Sequence, residues 1–447
     1  MSRRRRHTYV CLRLSKTRIY LVLLRSYGYP ILPFEEESFY QIGSAGDFEW
    51  NLTSIRDSEN VYIELTDDID MTGIAWTKMN NDKVHYIGSE EQPFCGRFDG
   101  KGHVIRNVAL GIRDDEGNGI FGVIAGNAKI SNVGIENVTA IFNNASEFTY
   151  YGSTTYGALA GTIKDGAEVN NCYARDVTVQ LTADKGNYIA AADGLAGCME
   201  GNGARVKNAY ATGVNIITET SDIDYDSGLV GLVNSMHDRI INCYTDTSLA
   251  RTKNTVTNYN DIAENCYYVW GHGEGTDGKL PWPWTNDFGN FGGYIGTRAD
   301  ADVLKTKKSE LGVYFTGAAQ GENYGFPVLA WERNMDVIEK VYLTTKDFAL
   351  IDGLTTDNSD EYKRYFTNKI KIIKNSEGTA KLAVVSYKAG KVTKVEFADI
   401  DASGIYRIYN PVQTIVGDVT TSPDTVKVFM FGDLDNAAIS AETVIIE

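Results

Sequence analysis

Four glycine-bracketed turns recur in this chain: Gly119-Ile120-Phe121-Gly122, Gly157-Ala158-Leu159-Ala160-Gly161, Gly194-Leu195-Ala196-Gly197 and Gly228-Leu229-Val230-Gly231. Their first glycines are 38, 37 and 34 residues apart. A period in that range marks a repeat architecture, whose units bury apolar surface only by stacking on one another. A second signal fixes the alignment. Fourteen residues after each of the last three glycine starts stands Asn-small-Tyr: Asn171-Cys172-Tyr173, Asn208-Ala209-Tyr210 and Asn242-Cys243-Tyr244. Asn265-Cys266-Tyr267 is a further copy without its glycine partner, and Ile130-Ser131-Asn132 is a diverged first copy.

Each unit reads as two or three short strands separated by Gly and Asn bends, with no 3.6-residue apolar spacing sustained long enough for a helix. Short strands repeated in one direction suit a parallel β-solenoid, in which each coil lies about 4.8 Å above the last. A β-propeller is the competing repeat fold, but it needs four strands per unit. In the solenoid, Ile130, Val169, Val206 and Ile240 form an inward column, and their neighbours Lys129, Glu168, Arg205 and Arg239 point outward. The asparagines belong at the bends, where Asn tolerates left-handed backbone angles and its amide can bond to the next coil. The Cys column, which holds Ala209 in one copy, reads as small, buried and unpaired.

Net charge is −16, although residues 1–25 carry eight Lys or Arg and no Asp or Glu. An acidic surface of this kind argues against nucleic acid and anionic membrane as partners. The basic start followed by an apolar run of six residues has the order of an export signal, but that run is short for one, so residues 1–38 read as a basic tail or a degenerate signal. No segment reaches the length of a membrane span. The six cysteines and five histidines form no zinc-type cluster.

Residues 62–71, Trp76 and the run 94–108, with Phe98-Asp99-Gly100-Lys101-Gly102 at its centre, resemble the opening coils of right-handed parallel β-helix proteins of the glycine-leucine-any-glycine (GLUG) repeat type. The later Gly-Leu-Val-Gly and Asn-Cys-Tyr units are similar to that family's coils, and residues 323–331 resemble the segment that closes them. The resemblance implies a bacterial secreted or cell-surface protein, adhesin-like in many members. Asp99 then falls in a structural turn, its carboxylate bonded to backbone. After Trp331 the period is lost and alternating strand patterns replace it, at the spacing of an antiparallel β-sandwich of immunoglobulin or fibronectin type. The domain reading is a tail at 1–38, a β-helix at 39–335 and a β-sandwich accessory domain at 336–447.

Function is read from rings and carboxylates. Trp282, Trp284, Phe288 and Tyr294 lie in a Gly-rich stretch and either stack on sugar faces or cap the end of the solenoid. Tyr150, Tyr151 and Tyr156, before Gly157, form a second candidate patch. Asp222, Asp224 and Asp226 alternate on one strand face; they read as a solvated acidic face, with loose calcium binding as the alternative. Nothing names a nucleophile or an acid/base pair. The expectation is an adhesin-like monomer whose β-helix lateral face binds glycan or a cell-surface protein, with calcium the one cofactor considered. A polysaccharide lyase or glycoside hydrolase acting on acidic polysaccharide, and a structural stalk without a small ligand, are the alternatives.

Overall fold

The computed structural model describes residues 13–14, 17–18, 38–52, 61–76, 87–111, 117–142, 155–181, 189–218, 223–247, 251–252, 262–269, 295–344, 350–351, 364–407, 413–415, 425–431 and 438–445. They form two compact units: residues 1–311 with 320–326, and residues 312–319 with 327–447. The chain therefore changes units between 312 and 327, ahead of the 335/336 boundary read from the sequence. Val328–Leu329 already pairs with Phe315–Thr316 in the second unit.

The first unit is a parallel β-solenoid. Its long sheet runs from Ser38–Ile42 and Val61–Leu65 through Arg97–Gly111 and Lys129–Phe142 to Arg205–Thr212, Arg239–Thr245 and Tyr267–Tyr268. Register is as the repeat requires: Ile63, Phe98, Ile130, Val169, Val206 and Ile240 lie in one column, all fully or almost fully buried. Alternation then places Arg97, Lys129, Glu168, Arg205 and Arg239 on the outer face.

Bends between the columns are made by asparagine. Asn132, Asn171, Asn208, Asn242 and Asn265 all have positive φ, between 49° and 60°. Their amides climb the solenoid. Asn132 Nδ2 donates to Asp99 Oδ1 at 2.9 Å, Asn171 to Asn132 at 2.7 Å, Asn208 to Asn170 at 2.8 Å, Asn242 to Asn208 at 3.0 Å and Asn265 to Asn242 at 3.1 Å. Asp99 also accepts the Lys101 backbone N–H at 2.9 Å, as expected of a turn carboxylate.

The glycine-bracketed turns have a different task. Each reverses the chain between two parallel sheets, one of Gly117–Asn118, Thr155–Gly157, Ile189–Asp193 and Ile223–Ser227, the other of Phe121–Ile124, Ala160–Lys164, Ala196–Glu200, Val230–Val233 and Arg251–Thr252. The two sheets pack at backbone distance. A methyl group on Gly161 would sit 2.1 Å from the Asn118 nitrogen, so only glycine allows the approach. Behind that contact Thr155 Oγ1 and Thr162 Oγ1 share a buried hydrogen bond of 2.9 Å.

The second unit carries two antiparallel sheets. One contains Val337–Thr344, Leu350–Ile351, Arg364–Ile373, Gly404–Arg407 and Gln413–Ile415; the other runs in the order Lys391–Ile400, Ala380–Lys388, Thr425–Phe431, Ala438–Ile445. Ile338, Ile370 and Ile372 from the first sheet share a core with Leu382, Val384, Ile400, Val426, Val428 and Met430 from the second, which makes the unit a sandwich. One end of that core is polar: Asp336, fully buried, accepts the backbone N–H groups of Asn375 and Ser376, each at 2.7 Å.

Candidate binding face

The outer side of the long sheet presents two columns of functional side chains. The first reads Tyr62, Arg97, Lys129, Glu168, Arg205, Arg239 on successive coils. The second, two residues along each strand, reads Glu64, Asp99, Ser131, Asn170, Lys207, Ile241. Coil spacing of about 4.8 Å separates neighbours within a column. Arg97, Lys129 and Arg205 are exposed.

The charges of this face are organised by contact. Arg97 lies over the Tyr62 ring, 4.8 Å from its centroid. Glu168, the single carboxylate of the first column, is engaged by Lys207 Nζ at 2.8 Å rather than by its register partner Arg205. Arg239 donates to the Met236 and Asp238 carbonyls, both at 2.8 Å. Lys101 sits 3.4 Å from both Glu64 and Asp99; burial works against its charge, but Asp99, Tyr62 and Glu64 together hold it firmly protonated. With Glu168 neutralised from the side, the first column is a line of cations on an acidic chain.

A third outward column, Asp70, Arg106, Glu136 and Arg175, alternates in sign from coil to coil. Arg106 pairs with Asp68 at 2.5 Å and Arg175 with Glu136 at 3.0 Å. Hydrogen bonds from Thr72 and Asn107 hold the Asp70 carboxyl down to about 2. Beside this column the tyrosines of the repeat stack face to face. Tyr173 and Tyr210 are 4.9 Å apart at 5°, and Tyr210 and Tyr244 are 5.1 Å apart at 9°. Gly134 occupies the register position before Tyr173, where a side chain would enter the Tyr173 ring at 2.4 Å.

This stack is buried. Asn323 donates to Tyr244 Oη at 2.8 Å and accepts from Thr212 Oγ1 at 2.5 Å, the Phe326 ring lies 6.2 Å from that of Tyr244, and Tyr324 Oη bonds Asp176. That last bond pushes the Tyr324 hydroxyl up to about 12. Residues 323–326 thus cover the tyrosine column.

Of the ring candidates, Tyr156 is corrected. It is fully buried in the strand Thr155–Gly157, and burial first, then the charge of Asp193, pushes its hydroxyl far up, so its ring offers no face to a ligand. The physical reason is the back-to-back packing of the two glycine-linked sheets, which encloses this strand. Trp282, Trp284, Phe288, Tyr294, Tyr150, Tyr151 and Asp222 lie outside the described residues. Asp224 and Asp226 fall on the strand Ile223–Ser227, where Asp226 is in register with Ala192 and Ala192 with Tyr156. Among the described residues no group of three or more His, Cys, Asp or Glu side chains is placed to hold a metal ion. Arg97 and Tyr62 belong to the cationic column but precede the clear repeats; their alignment through Phe98 with Ile130 was the available signal.

No protein-family model matches the chain, and no curated protein matches it. Among solved structures it is similar to the crystal structure of a "putative immunoglobulin A1 protease" from Bacteroides ovatus, at 19% identity and a TM-score of 0.38, over 67% of this chain and 95% of that one. No helix among the described residues is long and apolar enough to cross a membrane.

Proposed function

We propose that this chain is a secreted or cell-surface, adhesin-like protein of the GLUG-repeat kind, and that it binds an acidic glycan along the lateral face of its solenoid. One observation carries the reading: Arg97, Lys129, Arg205 and Arg239 stand in one outward column on an acidic protein, and the column's only carboxylate is taken by Lys207. A row of cations at coil spacing suits an extended polyanion whose charges also repeat, and a row built on a rigid sheet is organised before the ligand arrives. Binding without turnover is favoured over lyase or hydrolase chemistry because Asp68, Glu136 and Glu168 are each held by a cation. A carboxylate held by a cation is less available to a substrate as a general acid or base.

The test is binding of the full chain to polygalacturonate, with neutral xylan as the control, for wild type and for Arg97→Glu/Lys129→Glu/Arg205→Glu. Salt-sensitive binding to the polyanion alone, weakened at least about tenfold in the triple variant, is expected. Equal binding of the neutral polymer, or an unaffected variant, overturns the reading, and an unsaturated uronate product would move it to the lyase.

A further inference from the structure

The cations of the first outward column do not run unbroken. Arg97 and Lys129 are register neighbours, as are Arg205 and Arg239, and Glu168 stands between the two pairs, in register with Lys129 on one side and Arg205 on the other. Lys207 lies in the second column and reaches Glu168 diagonally at 2.8 Å, so carboxylate and ammonium cancel and neither adds net charge to the row. Beside Glu168 the second column is uncharged, with Ser131 and Asn170 in register. The outer member of each pair is fixed by its own contacts, Arg97 over the Tyr62 ring and Arg239 on two backbone carbonyls, while the inner members Lys129 and Arg205 are exposed. At about 4.8 Å per coil, the centres of the two pairs lie about 14 Å apart and the whole row spans about 19 Å.

We infer that Glu168 divides this face into two dicationic subsites, Arg97/Lys129 and Arg205/Arg239, and thereby sets a minimum length for an acidic glycan that binds tightly. The inference rests on the acidic-glycan reading above and deepens it. An extended chain of pyranose uronates advances by about one coil per sugar, so a disaccharide fills one subsite and the next sugar sets its carboxylate over Glu168. That position is already neutral overall, and its cation is held by Glu168, so the third sugar gains no favourable charge contact. Only with the fourth and fifth sugars does the same chain reach the second pair. In water a single exposed contact between charges at this distance changes affinity only a few-fold, so a fragment confined to one subsite binds weakly. Joining the subsites supplies the strength, because engagement of the second pair by a chain already bound at the first is intramolecular. The strands that carry the two pairs belong to one continuous hydrogen-bonded sheet, which fixes their separation before the ligand arrives.

Fluorescence anisotropy of end-labelled oligogalacturonides, from the dimer to the octamer, titrated with the full chain gives the length dependence. Dimer and trimer should bind weakly and alike, and the pentamer and longer oligomers should bind at least about tenfold tighter. Arg97→Gln/Lys129→Gln and Arg205→Gln/Arg239→Gln should each keep dimer binding within about twofold, through the pair left intact, and each should lose the gain with length. Glu168→Gln removes the dividing carboxylate and releases Lys207, so its trimer should bind a few-fold tighter than its dimer and the flat step between them should vanish. Urea unfolding like that of the wild type shows each variant to be folded. A smooth rise in wild-type affinity with every added sugar, a pentamer gain that survives loss of either pair, or a trimer indifferent to Glu168→Gln overturns the division and leaves the acidic-glycan reading standing. Absence of binding by every oligomer and by polygalacturonate itself overturns both.

Discussion

Replacing Asn208 separates the two reasons for an asparagine ladder. Its side chain is 6% exposed, donates to Asn170 Oδ1 at 2.8 Å and accepts from Asn242 Nδ2 at 3.0 Å, and its backbone holds φ at 49°. Asn208→Ala removes two buried side-chain hydrogen bonds, a net of about 1 kcal/mol each. It also places a Cβ without polar compensation in the left-handed region, a further cost of about 1 kcal/mol. The expected loss is about 3 kcal/mol. Asn208→Gly loses the same hydrogen bonds but meets no left-handed penalty, so it should lose about 2 kcal/mol. Urea unfolding of the three proteins gives the comparison, with amide exchange at residues 170–173 and 242–245 reporting whether the loss is felt on both neighbouring coils. The glycine variant must be the more stable of the two. If it equals or falls below the alanine variant, backbone strain does not select asparagine here; if alanine costs less than about 0.5 kcal/mol, the ladder is not a source of stability.

Gly161→Ala drives a methyl into the Asn118 backbone, so it should destabilise the solenoid by more than about 3 kcal/mol or prevent folding, measured by the same unfolding curves. Asp238 is fully buried, accepts the Gly203 and Ala204 N–H groups and leaves its Oδ2 without a partner; burial raises its carboxyl to about 6 from 3.8. A raised carboxyl means the native state binds the proton more tightly, so stability should fall as pH rises from about 4 through 6, by up to about 3 kcal/mol. Asp238→Asn should remove that slope, and a difference between the two proteins that does not change with pH would refute it. Cys172, Cys198, Cys243 and Cys266 are buried and unpaired, and Cys95 is partly exposed. Alkylation of the native protein should therefore spare the buried four, and titration after unfolding without reductant should find six thiols. Glu168→Arg should lower stability by at most about 1 kcal/mol, read as a melting shift, because it removes the Lys207 contact and adds a like charge beside Arg205.

The repeat period was sufficient to place the coils, because in a parallel solenoid the residue one period away is the hydrogen-bonded neighbour, and spacing along the chain is contact in space. That is why the column Ile130, Val169, Val206, Ile240, the outward column beside it and the left-handed asparagines could be assigned from the sequence of the repeats. Tertiary structure alone decided what depends on segments that obey no period. Tyr156 lies on a strand reached through an insertion, and its burial follows from a second sheet folded back at glycine contact. Glu168 chose Lys207, on the neighbouring column, over its register partner Arg205, a matter of side-chain reach. The tyrosine stack is buried because residues 323–326 return to it from far along the chain.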